Sequence, residues 1–223
     1  MVKALFYKEW LKTRWAFLII SVVFIIDIIK IALNISYGIR FMDANSYWYS
    51  ITILGSILYH DLNYLPVLAG IVIGAFQFTP EISADRLKLT LHLPMNENGI
   101  LLSMVSNGLL ALIITFSLTY LLLISVVLYF FPLQILQSVI ITTLPWFLAG
   151  FAGYLATCMI FLEPTWLKRV LLILFSAGYL DMLLSNTIYN QYAHSIWIFI
   201  LITLLFITAI FYPALRFRKG VRA

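Results

Sequence analysis

Residues that could bind a partner protein are concentrated in one polar stretch near the middle of the chain, residues 79–99. This stretch holds acids, bases and a histidine, whereas the sequence on either side of it is mostly apolar. Pro80 and Pro94 would bound it as a short rigid element, and a solvated loop that only links two spans is the alternative. The candidate contact residues are Glu81, Asp85, Arg86, Lys88 and Leu89.

Sequence patterns for catalysis and metal binding are absent from the chain. It contains no His-Glu-x-x-His helix, no Gly-x-Ser-x-Gly turn and no Walker phosphate loop. Its three histidines, His60, His92 and His194, fall in different segments of the predicted topology. We therefore expect no catalytic residue, no cofactor-binding residue and no metal ligand in this chain.

The composition predicts that the polar stretch is held by a membrane domain. Hydrophobic residues make up 63% of the 223 residues, charged residues make up 10%, and the mean hydropathy is +1.02. Soluble domains are about half apolar and about a quarter charged, so this much apolar surface indicates lipid as the solvent. Because no hydrophilic block is long enough to fold separately, residues 1–223 are expected to form a single transmembrane domain.

The apolar runs predict an all-α, polytopic membrane protein with six transmembrane helices. The second run is long, and its true span could begin near Leu65 after a short outer helix. Pro145 is expected to kink or interrupt the fourth. The six runs cover residues 15–37, 51–78, 100–131, 135–162, 170–188 and 196–215.

Residues 1–14 are too charged to span a membrane. Val2, Phe6 and Trp10 recur at helical spacing on one face, and Lys8 and Lys12 lie on another. This pattern favours an interfacial elbow helix whose lysines face anionic lipid. An ordinary cytoplasmic extension before the first span is the alternative.

The positions of the basic residues predict the orientation of the chain. With both termini in the cytoplasm, twelve of the fourteen Lys and Arg residues fall on the inner side, as the positive-inside rule requires. This places residues 79–99 in the cytoplasm and accounts for the net charge of +5 without a nucleic-acid partner. The twelve are Lys3, Lys8, Lys12, Arg14, Arg86, Lys88, Lys168, Arg169, Arg216, Arg218, Lys219 and Arg222.

Polar and small residues inside the spans are a further set of candidates. Asp27, Lys30 and Asn34 follow one another at one-turn spacing. Bare charges in lipid are costly, so these side chains should form a structural pair or line a path. The small residues Gly70 and Gly74, and Gly150 and Gly153, predict two faces for close helix packing.

Two motifs resemble the membrane subunit of an ATP-binding-cassette transporter, of the type-2 permease (exporter-like) family. The first is an elbow of the form Phe-x-Lys-Glu-x-x-Lys-x-Arg, and the second is an acid, then a base, then a Leu-x-Leu-x-Leu-Pro ending. The matching residues are Phe6, Lys8, Glu9, Lys12, Arg14, Glu81, Arg86, Leu89, Leu91, Leu93 and Pro94. The segment at 181–195 is shorter than its counterpart in many relatives.

The resemblance implies a role for each part of the chain. Residues 79–99 would be the coupling helix, which docks on a separate ATPase subunit that binds ATP and Mg. A second permease copy or a related permease would complete the transporter in the cell membrane. The alternative is a non-transporting membrane protein, an assembly factor or a sensor, with a cytoplasmic docking loop.

Overall fold

The computed structural model describes residues 2–41, 49, 57, 59–83, 90, 96–185 and 189–213. This part of the chain is helical and contains no strand. A short 3₁₀ helix, His60–Asn63, precedes the second α-helix. The six α-helices are α1 (Val2–Phe41), α2 (Leu65–Ser83), α3 (Glu97–Phe130), α4 (Leu133–Leu162), α5 (Trp166–Leu184) and α6 (Ile196–Ala209).

Five helical segments within these ranges are long and apolar enough to cross a membrane. They are α1, the 3₁₀ helix with α2, α3, α4, and α6 with its continuation to Pro213. Helix α5 is not among them, because Lys168, Arg169 and Asp181 interrupt its 19 residues. The all-α fold is thus confirmed for the described residues, and five of the six predicted spans correspond to helical segments that are long and apolar enough to cross a membrane.

Helix α1 runs without a break through the charged N-terminal segment and the first apolar run. Residues 2–14 are therefore the first part of a 40-residue helix and not a separate elbow. The sequence contains no proline or glycine between Val2 and Tyr37, so nothing in it stops the helix. Glu9 and Thr13 are also buried against the other helices, which fixes this segment to the bundle.

Helix α2 agrees with one of the predicted starts and differs from the prediction at its end. It begins at Leu65, in agreement with the later of the two predicted starts. It continues through Pro80 to Ser83, so Pro80 lies inside the helix and does not bound the polar stretch. This continuation keeps Gln77 and Glu81, four residues apart, on one face that turns into the protein.

Contacts at both ends of the bundle show that the helices alternate in direction. Helices α1 and α2 are antiparallel, because Lys12 meets Glu81 near one end and Lys30 meets Asp61 near the other. Helices α5 and α6 are antiparallel too, since the Lys168 ammonium lies over the Tyr212 ring while the Tyr179 hydroxyl reaches the carbonyl of Phe199. Helix α5 therefore runs the length of the bundle with its neighbours.

One end of the bundle collects most of the described positive charge. Helices α1, α3 and α5 begin there, and α2, α4 and α6 end there. We call it the basic end, because six of the eight described Lys and Arg residues belong to it, and Lys30 and Arg40 belong to the far half. The six are Lys3, Lys8, Lys12, Arg14, Lys168 and Arg169.

The closest helix pair is α2 and α4, which run parallel through the centre. Gly70 and Gly74 of α2 lie against Gly150 and Tyr154 and against Thr157 of α4. A Cβ atom at Gly150 would lie 2.6 Å from the carbonyl oxygen of Pro66. The two small-residue patches therefore belong to one interface, in which backbone touches backbone and a side chain has no room.

Candidate functional site

A group of charged side chains that includes two buried carboxylates lies at the basic end, where α1 begins and α2 ends. Helix α1 supplies Lys8, Glu9 and Lys12 within little more than one turn. Glu9 is 0% exposed, and its Oε1 lies 2.6 Å from the Lys12 Nζ. The helical spacing of Lys8 and Lys12 directs both ammonium groups to the same side, toward the end of α2.

Glu81 provides the second carboxylate, and its side chain is 0% exposed. Its Oε1 lies 2.5 Å from the Lys12 Nζ and 2.9 Å from the Lys8 Nζ. The group thus contains two ammonium groups and two carboxylates, and it is formally neutral. Neutrality matters here, because an unpaired charge at a buried position costs several kcal/mol, on the order of 3–5.

Thr90 brings the polar stretch itself into the network. The Lys8 Nζ donates a hydrogen bond to the Thr90 Oγ1 at 3.0 Å. The same hydroxyl lies 3.4 Å from Oε2 of Glu81. A residue in the middle of 79–99 is therefore attached to both α1 and α2.

Gln77 and Tyr154 extend the network into the apolar centre of the bundle. The Gln77 Nε2 donates to Oε2 of Glu9 at 3.0 Å and to the carbonyl of Met104 at 2.7 Å. The Tyr154 hydroxyl donates to Oε1 of Gln77 at 2.7 Å and lies 3.1 Å from the carbonyl oxygen of Val105. All four of the helices α1 to α4 are joined by this chain of contacts, which we call the basal network (Lys8, Glu9, Lys12, Gln77, Glu81, Thr90 and Tyr154).

The ring of Tyr154 reaches Gln77 because Gly108 leaves space for it. A Cβ atom at Gly108 would overlap the Tyr154 ring and hydroxyl. Tyr154 itself is 0% exposed. The glycine therefore sets the depth at which α4 meets α3 and the position of the hydroxyl.

The structure changes the role expected for one of the predicted docking residues. Glu81 points into the protein and is bound by the chain's own lysines, so its carboxylate is not presented to a partner in this conformation. The other four predicted contacts, Asp85, Arg86, Lys88 and Leu89, lie outside the described residues. They stay predictions.

The polar residues of the first span are only partly brought together. Lys30 pairs with Asp61 at 2.6 Å, and the two side chains are 57% and 49% exposed. Oδ2 of Asp27 is buried and has no hydrogen-bond partner in the described part of the chain. Asn34 is exposed. Lys30 therefore pairs across helices with Asp61, beside an open cleft of about 430 Å³, and Asp27 is left on the side of that cleft.

Glu81 is the only one of the seven members of the basal network that the sequence predicts as a site residue. Lys8, Glu9 and Lys12 enter only through the elbow motif, Thr90 has no assigned role in 79–99, and Gln77 and Tyr154 lie within apolar runs. A signal was nevertheless present, because Gln77 and Glu81 are one turn apart in an otherwise apolar helix. Such a pair facing the interior requires buried partners.

Comparison of the chain with protein-family models, with curated proteins and with solved structures finds no match. Within the described ranges, no group of three or more His, Cys, Asp or Glu side chains could hold a metal ion. The basal network joins the helices α1 to α4 and holds two buried carboxylates against two ammonium groups.

Proposed function

We propose that this chain is the membrane subunit of an ATP-binding-cassette transporter, of the type-2 permease class. Paired with a second permease copy or a related permease, it moves substrate across the cell membrane. Residues 79–99 are its docking segment for a separate ATPase. ATP and Mg bind to that ATPase. The direction we assign is export.

One observation carries the proposal: two residues of the polar stretch, Glu81 with its buried carboxylate and Thr90, are held by lysines of α1. A segment that only connected two spans would need no such attachment. Here Thr90 and Glu81 are held by Lys8 and Lys12 of α1, and Gln77 passes the contact on to Tyr154 of α4. A displacement of residues 79–99 would therefore act on α1, α2 and α4 together.

The orientation supports the same role. If α5 also crosses the membrane beside α6, six spans would leave the basic end and both ends of the chain in the cytoplasm, in keeping with the positive-inside rule. That is the side on which a soluble ATPase is found. Closure of the ATPase on ATP would then move 79–99, and the packed helices would shift as rigid bodies.

The decisive test is purification of the tagged full-length chain from its own membrane, with identification of co-purifying proteins by mass spectrometry. We expect a stoichiometric ATP-binding-cassette ATPase. Arg86→Ala should reduce its recovery several-fold, because Arg86 is a predicted docking residue. Arg40→Ala, an exposed base in the far half of α1, serves as the matched control and should leave recovery unchanged.

Two results would contradict the proposal. Recovery of the chain without any ATPase would favour the non-transporting alternative, an assembly factor or a sensor. Equal recovery from wild type, Arg86→Ala and Arg40→Ala would show that the ATPase does not dock through residues 79–99.

A further inference from the structure

A groove at the basic end, formed by α4, α5 and α6, lies apart from the basal network. Its volume is about 520 Å³. Leu171, Leu172 and Phe175 of α5 and Ala209 of α6 line it. Because Leu171 and Phe175 are largely exposed, the groove opens sideways from the bundle, toward the region that lipid occupies.

Lys168 gives the groove a charged end. Its ammonium lies 5.8 Å from the centroid of the Tyr212 ring, which holds it beside the groove by a cation–π contact. Phe175 follows Lys168 by seven residues, or about 10 Å along the helix axis. The groove therefore offers a cation at the basic end and apolar walls that extend toward the middle of the bundle.

Glu163 also lines the groove, but its charge is already engaged. The Thr165 hydroxyl donates to Oε1 of Glu163 at 2.5 Å, and the Thr165 backbone N–H donates to the same oxygen at 3.3 Å. The whole Glu163 residue is 2% exposed. The accessible charge of the groove is therefore the ammonium of Lys168.

We propose that this groove binds an anionic phospholipid, with one acyl chain along Leu171 and Phe175 and the phosphate at Lys168. The complementarity of charge carries the assignment, together with the position of the groove at the end that gathers the bases. A basic pocket between membrane helices on this side is suited to anionic headgroups. The exposed Trp166 next to it fits the interface between lipid and water. The proposal does not depend on a transport function.

The test uses the purified full-length chain in detergent, offered equal amounts of phosphatidylglycerol and phosphatidylcholine with the same acyl chains. Native mass spectrometry counts the lipid that each protein retains. Lys168→Gln removes the cation, and Ala209→Phe fills the apolar part of the groove. Lys3→Gln, an exposed lysine of the same end, and Thr208→Phe, an exposed neighbour of Ala209, are the matched controls.

We expect the wild type to prefer phosphatidylglycerol about fivefold, the worth of one basic residue near a lipid headgroup. Lys168→Gln should lose this preference, Ala209→Phe should retain less of both lipids, and the two controls should behave as wild type. Equal retention of both lipids by the wild type would overturn the proposal, as would an equal loss in Lys3→Gln. If Ala209→Phe retains phosphatidylglycerol as the wild type does, the groove recognises only an anion. The part of the proposal that places an acyl chain along Leu171 and Phe175 is then wrong.

Discussion

The Lys12 ammonium lies 2.5 Å from the Glu81 carboxylate, although 69 positions separate the two residues in the sequence. The contact joins the start of α1 to the end of α2, and Lys12 also holds Glu9 at 2.6 Å. Lys12 is thus the one side chain among the described residues that bridges both buried carboxylates of the basal network. Its loss should have a larger effect than the loss of an ordinary surface lysine.

Lys12→Met should destabilise the protein much more than Lys30→Met. The first substitution leaves Glu9 and Glu81 buried side by side with only Lys8 to balance them, at a cost of about 3 kcal/mol in the free energy of unfolding. The second breaks an ion pair whose partners are about half exposed, so water screens it and its loss should matter much less. Thermal unfolding of the purified variants measures the difference, and equal shifts in melting temperature would contradict the buried network.

Glu81→Gln should weaken the attachment of residues 79–99 to α1 and lower the stability of the protein. The amide keeps the size of the side chain but leaves the network with an excess positive charge, so we expect a loss of about 2–4 kcal/mol. Asp181→Asn, a matched change at an exposed carboxylate of α5, should have almost no effect on the melting temperature. A Glu81→Gln protein as stable as Asp181→Asn would show that the carboxylate of Glu81 is not buried against Lys8 and Lys12.

Tyr154→Phe should remove the link between α4 and the rest of the network. Oε1 of Gln77 would lose its donor, which costs about 1–2 kcal/mol. Tyr129→Phe is the control, because the Tyr129 side chain is exposed. In a double-mutant cycle with Glu81→Gln, we expect a coupling energy above about 0.5 kcal/mol. Strict additivity would mean that the two ends of the network act independently.

Gly150→Ala should destabilise the contact between α2 and α4. The added Cβ would lie 2.6 Å from the carbonyl oxygen of Pro66, so the two helices must separate, at a cost of about 1–3 kcal/mol. Gly178→Ala is the matched control within a helix, because a Cβ there meets nothing within 4 Å. It should stabilise α5 by about 0.5–1 kcal/mol. Opposite shifts in melting temperature are expected, and a shift in the same direction would contradict the close approach.

The helices could be predicted from the sequence because each apolar run is long and ends at a polar or turn-forming residue. The fourth run, predicted at 135–162, is found at Leu133–Leu162. The partner of Lys30 could not be predicted in the same way. Asp27 fits the local spacing of one helical turn, but Asp61 is brought to Lys30 only by the antiparallel packing of α1 and α2.

Glu81 illustrates the same limit at the candidate site. A charged residue after a proline suggests a polar loop, and the sequence does not show that α2 continues past Pro80. Once the helix continues, the four-residue spacing places Glu81 below Gln77 on the inward face. The direction of the side chain therefore depends on the end of the helix, which is the least predictable part of an element.

Helix α1 is continuous, and two ion pairs hold it to neighbouring helices at points far apart along its length. Lys12 and Lys30 are about 27 Å apart along its axis. Lys12 pairs with Glu81 of α2, and Lys30 pairs with Asp61 of the 3₁₀ helix that precedes α2. If α1 pivots about the Lys30–Asp61 ion pair, a tilt of the helix by about five degrees moves Lys12 by about 2.4 Å over that length. A displacement of this size directed away from Glu81 nearly doubles the separation of Lys12 and Glu81. A small rotation of α1 is therefore sufficient to break this ion pair while Lys30–Asp61 stays intact.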